Sequence, residues 1–342
     1  MKKDKILLDH GSGGGISHKL ITEFFLAHFN NPILAELDDS AVFTVAEQTL
    51  AFSTDSYTVD PIFFPGGDIG ELAVNGTVND LAMRGAKPLY LSTGFIIEEG
   101  FALADLERIL KSMKRSAKEA HVLIVTGDTK VVPRGAVDKI FINTSGIGII
   151  PEGVNISGKN ARPGDKIILS GYIADHGMTV LTHRAGMDFA SSLQSDTAPL
   201  NDMVAEMIAT SSQIHTLRDP TRGGVGTSLN EIALQSGIKI KLHEDAIPLR
   251  DEVNGACELL GIDPLYAANE GKLLACVGPD DAEVVLRVIR ANRYGQDASI
   301  IGEILAESTG SGSGRGRVFM KTAIGGTRII DMLAGEQLPR IC

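Results

Sequence analysis

No apolar stretch in this 342-residue chain approaches the roughly 20 residues that cross a bilayer, which argues against a membrane protein. The opening run, MKKDKILLDHGSGGG, has too short an apolar segment for a secretory signal, so a cytoplasmic location is expected. Cysteine is scarce: there are three, an odd number with no CxxC pair, so neither a disulfide framework nor a zinc site is suggested. Positive charge is in deficit, with 32 Lys and Arg against 43 Asp and Glu. The resulting net charge of −11 repels polyanions and argues against a nucleic-acid partner. An anionic substrate would need metal ions or a few well-placed cations. GxxxxGK[ST] is missing, so any bound nucleotide is not held by a P-loop. His10, His176 and His215 have no metal-ligand spacing and read as surface or capping residues. Cys257 in GACELLG and Cys276 in KLLACVG read as small core side chains.

The chain is long enough for two domains, and its 43% apolar and 22% charged residues are ordinary for a globular protein. Apolar spacing predicts a helix over 17–29, directly after a glycine run, then short strands AVFTV and TLAFSTD. A second helix is expected over 69–84, ending at Gly85, and PLYLSTGFII reads as a buried strand. Residues 102–120 carry the clearest amphipathic helix, followed by strands VLIVTGD and KIFINTSGIGII. The polar stretch NISGKNARPGDK at 155–166 places a domain boundary, giving domains 1–154 and 155–323. The second block mixes strands KIILSG, IKIKL, KLLACVG and ASIIGEI with helices near 200–212, 227–236, 249–260 and 280–292. Irregular alternation of strands and helices favours an α+β fold built of two α/β domains. ESTGSGSGRGR at 307–317 reads as a flexible connection, and 324–342 as a flexible tail. No short internal repeat is evident.

Gly11, Ser12, Gly13, Gly14 and Gly15 let successive amides turn toward one point at a helix start, an arrangement suited to phosphate. Single aspartates end several apolar runs: Asp39, Asp55, Asp80, Asp128 and Asp219. Carboxylates converging from such ends supply the hard oxygens that Mg²⁺ on a polyphosphate requires, although each alone also fits a surface turn. Lys130 lies two residues beyond Asp128, so in an extended stretch both side chains leave the same face. Glu270, just before the buried strand KLLACVG, sits where partial desolvation would raise its pKa toward that of a general base.

The final residue is a thiol, Cys342, preceded by Pro339, Arg340 and Ile341. Its own α-carboxylate opposes thiolate formation, so a site that uses it should supply positive charge. From Gly325 onward the chain could extend about 55 Å, far enough for a swinging arm between an internal pocket and an external partner.

The glycine-rich start, LDDSAV, STDSYTVDP, VNDLAMRGAKP, TGDTKVV, DPTRGG, NEGKLL and the ending PRIC together resemble the HypE family, the carbamoyl dehydratases of [NiFe]-hydrogenase maturation. The aspartate motifs are shared with a wider superfamily that includes aminoimidazole ribonucleotide synthetase, selenophosphate synthetase and thiamine-monophosphate kinase. A small-molecule kinase or synthetase of that superfamily is the rival reading. The resemblance implies a homodimer in which two N-terminal sheets pair into a β-barrel, with ATP and Mg²⁺ bound near the interface. It further implies that a carbamoyltransferase, HypF, loads Cys342, and that the thiocarbamate is dehydrated to a thiocyanate whose cyanide passes to iron on a HypC–HypD scaffold. On that basis Asp39, Asp55, Asp80, Asp128 and Asp219 are expected at metal. Gly11 to Gly15, with Asp55, Asp80 and Asp128, are expected at the nucleotide, Glu270 as proton acceptor, and Lys130 at the oxygen or the transferred phosphoryl group.

Overall fold

The computed structural model describes residues 5–11, 13–29, 31–187, 192–305, 316–333, 335 and 338–342. After a short helix α1 (Gly15–Leu20), a π-type turn and α2 (Leu26–Phe29), the chain builds a first sheet. Its strands are β1 (Ala41–Val45), β2 (Gln48–Tyr57), β5 (Lys87–Glu98), β6 (Leu123–Val132) and β7 (Ile140–Ile149), with a small hairpin of β3 (Phe63–Phe64) and β4 (Gly67–Asp68) alongside. Sheet order is β1-β2-β7-β5-β6, antiparallel except for the β5–β6 pair. The parallel pair needs a crossover, which α4 (Leu103–Glu119) supplies by burying Ile109, Met113 and Ala117 at helical spacing.

One face of this sheet is covered by α3 (Ile69–Met83), which packs on β2, β7 and α4. The helix starts where the Asp68 carboxylate accepts the N–H groups of Gly70 at 2.8 Å and Glu71 at 3.2 Å, an N-cap that satisfies two orphan donors. Helix and sheet approach closely at Gly76, where a Cβ would lie 2.3 Å from the Tyr57 hydroxyl. The opposite face is open. Phe52, Tyr90 and Ile96 are exposed there, and β6 leaves Leu123, Val125 and Val131 in solvent.

The second sheet comprises β8 (Lys166–Leu169), β9 (Ile214–Arg218), β10 (Lys239–His243), β11 (Leu274–Val277), β12 (Ser299–Ile304), β13 (Arg317–Lys321) and β14 (Thr327–Ile330), in the order β14-β13-β10-β12-β8-β11-β9. Its central strands β8 and β11 are covered on both faces, which is why they read as continuous apolar runs. Around it stand α5 (Asp175–Arg184), α6 (Asn201–Thr210), α7 (Gly224–Ser236), α8 (Asp251–Leu260) and α9 (Ala282–Ala291). The two-domain α+β organisation is as the sequence led us to expect. Helix α5 carries no apolar period because it is buried nearly all round, including His176, Thr179 and Thr182. Among the described residues no helix is long and apolar enough to cross a membrane.

Two expectations change. The described residues of 324–342 do not form a free tail throughout: Thr327–Ile330 is an edge strand paired with β13, and Arg340 and Cys342 are hydrogen-bonded to Asp60 and Thr58. The histidines are not all peripheral either. His176 is fully buried, and His215 is buried against Asp165 at 2.9 Å, whereas His10 does accept a local backbone N–H, that of Leu7. Cys257 and Cys276 are core side chains as read, and burial pushes the Cys257 thiol up to about 11. The connection at 307–317 lies outside the described residues up to residue 315, and Arg317 opens β13.

Candidate functional site

Strand β2 alternates, so Ala51, Ser53, Asp55 and Tyr57 share the face beneath α3. Asp80, one turn before the end of α3, accepts the Ser53 hydroxyl at 2.5 Å. From the other domain, β9 ends at Arg218 with Asp219 directly after it, and the turn before β11 brings Glu270. Asp39 enters from the turn before β1 and meets Arg218 at 3.2 Å; Arg218 also binds Glu231 at 2.5 Å. The neighbouring Asp38 turns away and ties the domain boundary, accepting the Ser157 hydroxyl at 2.7 Å and the Gly158 N–H at 3.0 Å while pairing with Arg84. Asp39 is therefore the inward member of the pair.

These carboxylates feel one another. Burial pushes Asp39 up to about 7 against the pull of Arg218, with Asp219 and Glu231 adding repulsion. Asp219 is pushed up to about 6, again chiefly by burial. Asp80 is raised well above the usual carboxylate range by burial and by Asp219, Asp55 and Asp39, and Asp55 is raised by burial. Burial and the charges of Asp196, Asp219 and Asp55 likewise raise Glu270, whose buried Oε1 has no hydrogen-bond partner. Such a cluster holds protons unless a cation neutralises it. Its hard oxygens are the donors Mg²⁺ prefers, so the residues fit that ion in kind. Among the described residues, however, no three His, Cys, Asp or Glu stand close enough to enclose an ion unaided.

Asp39, Asp55, Asp80, Asp219 and Glu270 thus gather, whereas Asp128 and Lys130 do not join them within one chain. These two sit on exposed β6 and pair with each other at 2.7 Å, and the Lys130 hydrogen bond holds Asp128 below the usual carboxylate range. The glycine run does open a helix, but part of it is already engaged. The Gly13 N–H donates to Ser17 Oγ at 3.0 Å, the Gly15 N–H to the Leu333 carbonyl at 2.8 Å, and Arg222 donates to the Gly11 carbonyl at 3.0 Å. Gly13 has φ +78°, and a Cβ there would stand 3.0 Å from Arg222, so glycine is required. Ser12 lies outside the described residues.

Cys342 comes to the same place. An oxygen of its α-carboxylate accepts the Thr58 N–H at 2.9 Å and the Thr58 hydroxyl at 3.3 Å, one residue beyond β2. Arg222 is held more firmly in its charged form chiefly by Cys342, and further by Asp55 and Glu270. Much of the Arg222 side chain is open to solvent, which screens these attractions. This guanidinium is the positive charge that a terminal thiol beside a carboxylate calls for, and reading DPTRGG for its aspartate alone passed over it. Arg218, immediately before Asp219, was passed over in the same way.

Two mixed sheets flanked by helices, with an acidic site drawn from both domains, define the class. Residues 37–150 match the family model "AIR synthase related protein, N-terminal domain", and residues 162–314 match "AIR synthase related protein, C-terminal domain". Over 343 residues the chain is 50% identical to the carbamoyl dehydratase HypE of Cupriavidus necator, covering 100% of this chain and 96% of that protein. A solved structure of the hydrogenase maturation protein HypE in complex with ATP is 54% identical, with TM-score 0.83, covering 99% of this chain and 100% of that one. HypE in a HypE–HypF complex is 49% identical, with TM-score 0.86, covering 92% and 99%. The chain belongs to the carbamoyl dehydratase HypE family of AIR synthase related proteins.

Proposed function

We propose that this enzyme binds ATP at the acidic site between its domains and uses it to convert an S-carbamoyl group on Cys342 into a thiocyanate. The observation that carries this reading is the position of the chain's last residue, docked against Thr58 and acting on the same Arg222 that faces Asp55 and Glu270. Solved relatives that hold ATP and that form a complex with HypF support the nucleotide and the loading partner.

Expelling the carbamoyl oxygen as hydroxide is prohibitive, because hydroxide is a poor leaving group. Transfer of the γ-phosphoryl group to that oxygen, with ADP departing, makes phosphate the leaving group. Removal of both N–H protons and loss of phosphate then leave S–C≡N, so ATP and the S-carbamoyl group become ADP, phosphate and the thiocyanate. Glu270 takes a proton from the nitrogen; its raised pKa means that it becomes a base once its acidic neighbours are neutralised. Asp39, Asp55, Asp80 and Asp219 would hold Mg²⁺ bound with the nucleotide, and the ion would supply positive charge to the cluster and the phosphates. Amides of the Gly11–Gly15 run contact phosphate once the bonds that now hold the Gly13 and Gly15 N–H groups are released.

The open face of the first sheet and the exposed apolar side chains of β6 support a homodimer that closes two sheets into a barrel. In that arrangement Asp128 and Lys130 serve the partner subunit's nucleotide and carbamoyl oxygen. HypF loads the thiol, a HypC–HypD scaffold receives the cyanide, and the work is done in the cytoplasm. Mass spectrometry of the C-terminal peptide after incubation with the carbamoyl donor system and ATP should show carbamoylation followed by loss of one water. ATP turnover that ignored removal of Cys342 would overturn the reading.

A further inference from the structure

Each of the last four residues of the chain has a donor on its main-chain oxygen. Arg184 Nη1 donates to the Pro339 carbonyl at 2.7 Å and Nη2 to the Arg340 carbonyl at 2.7 Å, while its Nε donates to the Asp60 carbonyl at 2.6 Å. The Asp60 N–H adds a second bond to the Arg340 carbonyl at 3.2 Å. His176 Nε2 donates to the Ile341 carbonyl at 2.7 Å, and Thr58 holds an oxygen of the Cys342 carboxylate. A carbonyl only accepts, so the buried imidazole carries its proton on Nε2, and its Nδ1 receives the Ser195 hydroxyl at 2.8 Å.

Both side chains belong to α5. Eight residues separate them, about 12 Å along a helix axis, enough to span three residues of extended tail. The Phe64 ring stands edge-on to His176 with centroids 5.4 Å apart, fixing the imidazole from the other domain. Ile341 is 2% exposed, so its side chain is seated as well as its backbone. The bonds of both side chains toward the tail go to main-chain oxygens.

We propose that Arg184 and His176 are positioning residues that receive the tail by its main chain and set how far Cys342 enters the site. This rests on the reading of Cys342 as the tethered substrate handle. Recognition through carbonyls does not depend on what the sulfur carries, so the same grip serves the empty and the carbamoylated tail. A planar guanidinium reading three carbonyls at once is only partly replaced by an ammonium, which donates from a point. The two steps of the cycle oppose each other here: loading by a partner needs the tail outside, and dehydration needs it seated.

The test uses the full-length protein and its Arg184→Ala, Arg184→Lys and His176→Leu variants. Alkylation of Cys342 by iodoacetamide, followed by intact mass, reports release of the tail, with buried Cys257 and Cys276 as internal controls of folding. Single-turnover dehydration of carbamoylated Cys342 reports seating. Loss of charge-assisted hydrogen bonds should raise the alkylation rate about tenfold in Arg184→Ala and slow dehydration about as much, with nucleotide affinity and melting temperature kept. Arg184→Lys should recover part of both. Unchanged alkylation in Arg184→Ala and His176→Leu would overturn the assignment. So would losses that track the melting temperature and are not relieved by lysine. If the parent protein itself fails to dehydrate its tail, the proposed reaction falls, while the alkylation arm still decides whether these residues hold the chain end.

Discussion

The Gly15 N–H donates to the Leu333 carbonyl at 2.8 Å, so the loop expected to cradle phosphate is fastened to the stem of the tail that carries the substrate. A Cβ added at Gly14 would lie 2.2 Å from that same carbonyl oxygen, a backbone atom that cannot swing aside. Gly14→Ala should therefore loosen the tail stem without touching Arg184. Faster alkylation of Cys342 is the expected outcome, by several-fold, and an unchanged rate would show that this fastening has no hold on the chain end.

Glu270→Gln keeps the shape of the side chain and removes its basicity. Because Glu270 is buried and its Oε1 has no hydrogen-bond partner, the amide should be accommodated with little change in stability. Dehydration of a preloaded tail should fall about 100-fold or more, the usual loss for a general base, while loading by the transferase proceeds. A normal conversion rate in this variant would remove Glu270 from the chemistry.

Much of the site was legible because its residues lie where buried elements end, and such ends converge when their elements share a core. Asp39, Asp55, Asp80, Asp219 and Glu270 each close or precede a run whose burial is evident from composition, and the structure gathers them. His176 and Arg184 were not legible. They lie on a helix buried nearly all round, whose sequence, DHGMTVLTHR, has no apolar stripe, and they bind backbone, which leaves no pairing pattern among side chains. Arg222 was hidden differently: its role comes from the approach of residue 342, a contact that spacing cannot foresee. The edge strand β14 was missed because four residues with one covered side chain resemble a loop.

The raised carboxylates make stability depend on pH. A carboxyl whose pKa is higher in the fold than in the unfolded chain stabilises the fold fully below the ordinary value of 3.8, and that stabilisation is lost as pH rises through the folded value. For Asp219 and Asp39 that window runs from about 3.8 to about 6 and about 7. The melting temperature of the ligand-free protein should fall across this range, and Asp39→Asn should flatten the slope. Mg²⁺ with nucleotide should restore stability at the alkaline end and release protons in weakly buffered solution. A slope untouched by Asp39→Asn would show that the cluster is not the titrating unit.

Asp128 and Lys130 are paired at 2.7 Å on a strand whose side chains face solvent, while the acidic cluster is built without them. If they serve the partner subunit's site, a dimer of Lys130→Ala chains is inactive at both sites, and so is a dimer of Glu270→Gln chains. A mixed dimer is different. Its site with an intact Glu270 comes from the Lys130→Ala chain, and the lysine supplied across the interface comes from the Glu270→Gln chain, so one site is whole. Mixing the two inactive proteins under subunit exchange should therefore restore roughly a quarter of parental dehydration, since half the dimers are mixed and each holds one working site. No recovery on mixing, with exchange verified by mass, would place Lys130 in its own chain's site or outside the reaction altogether.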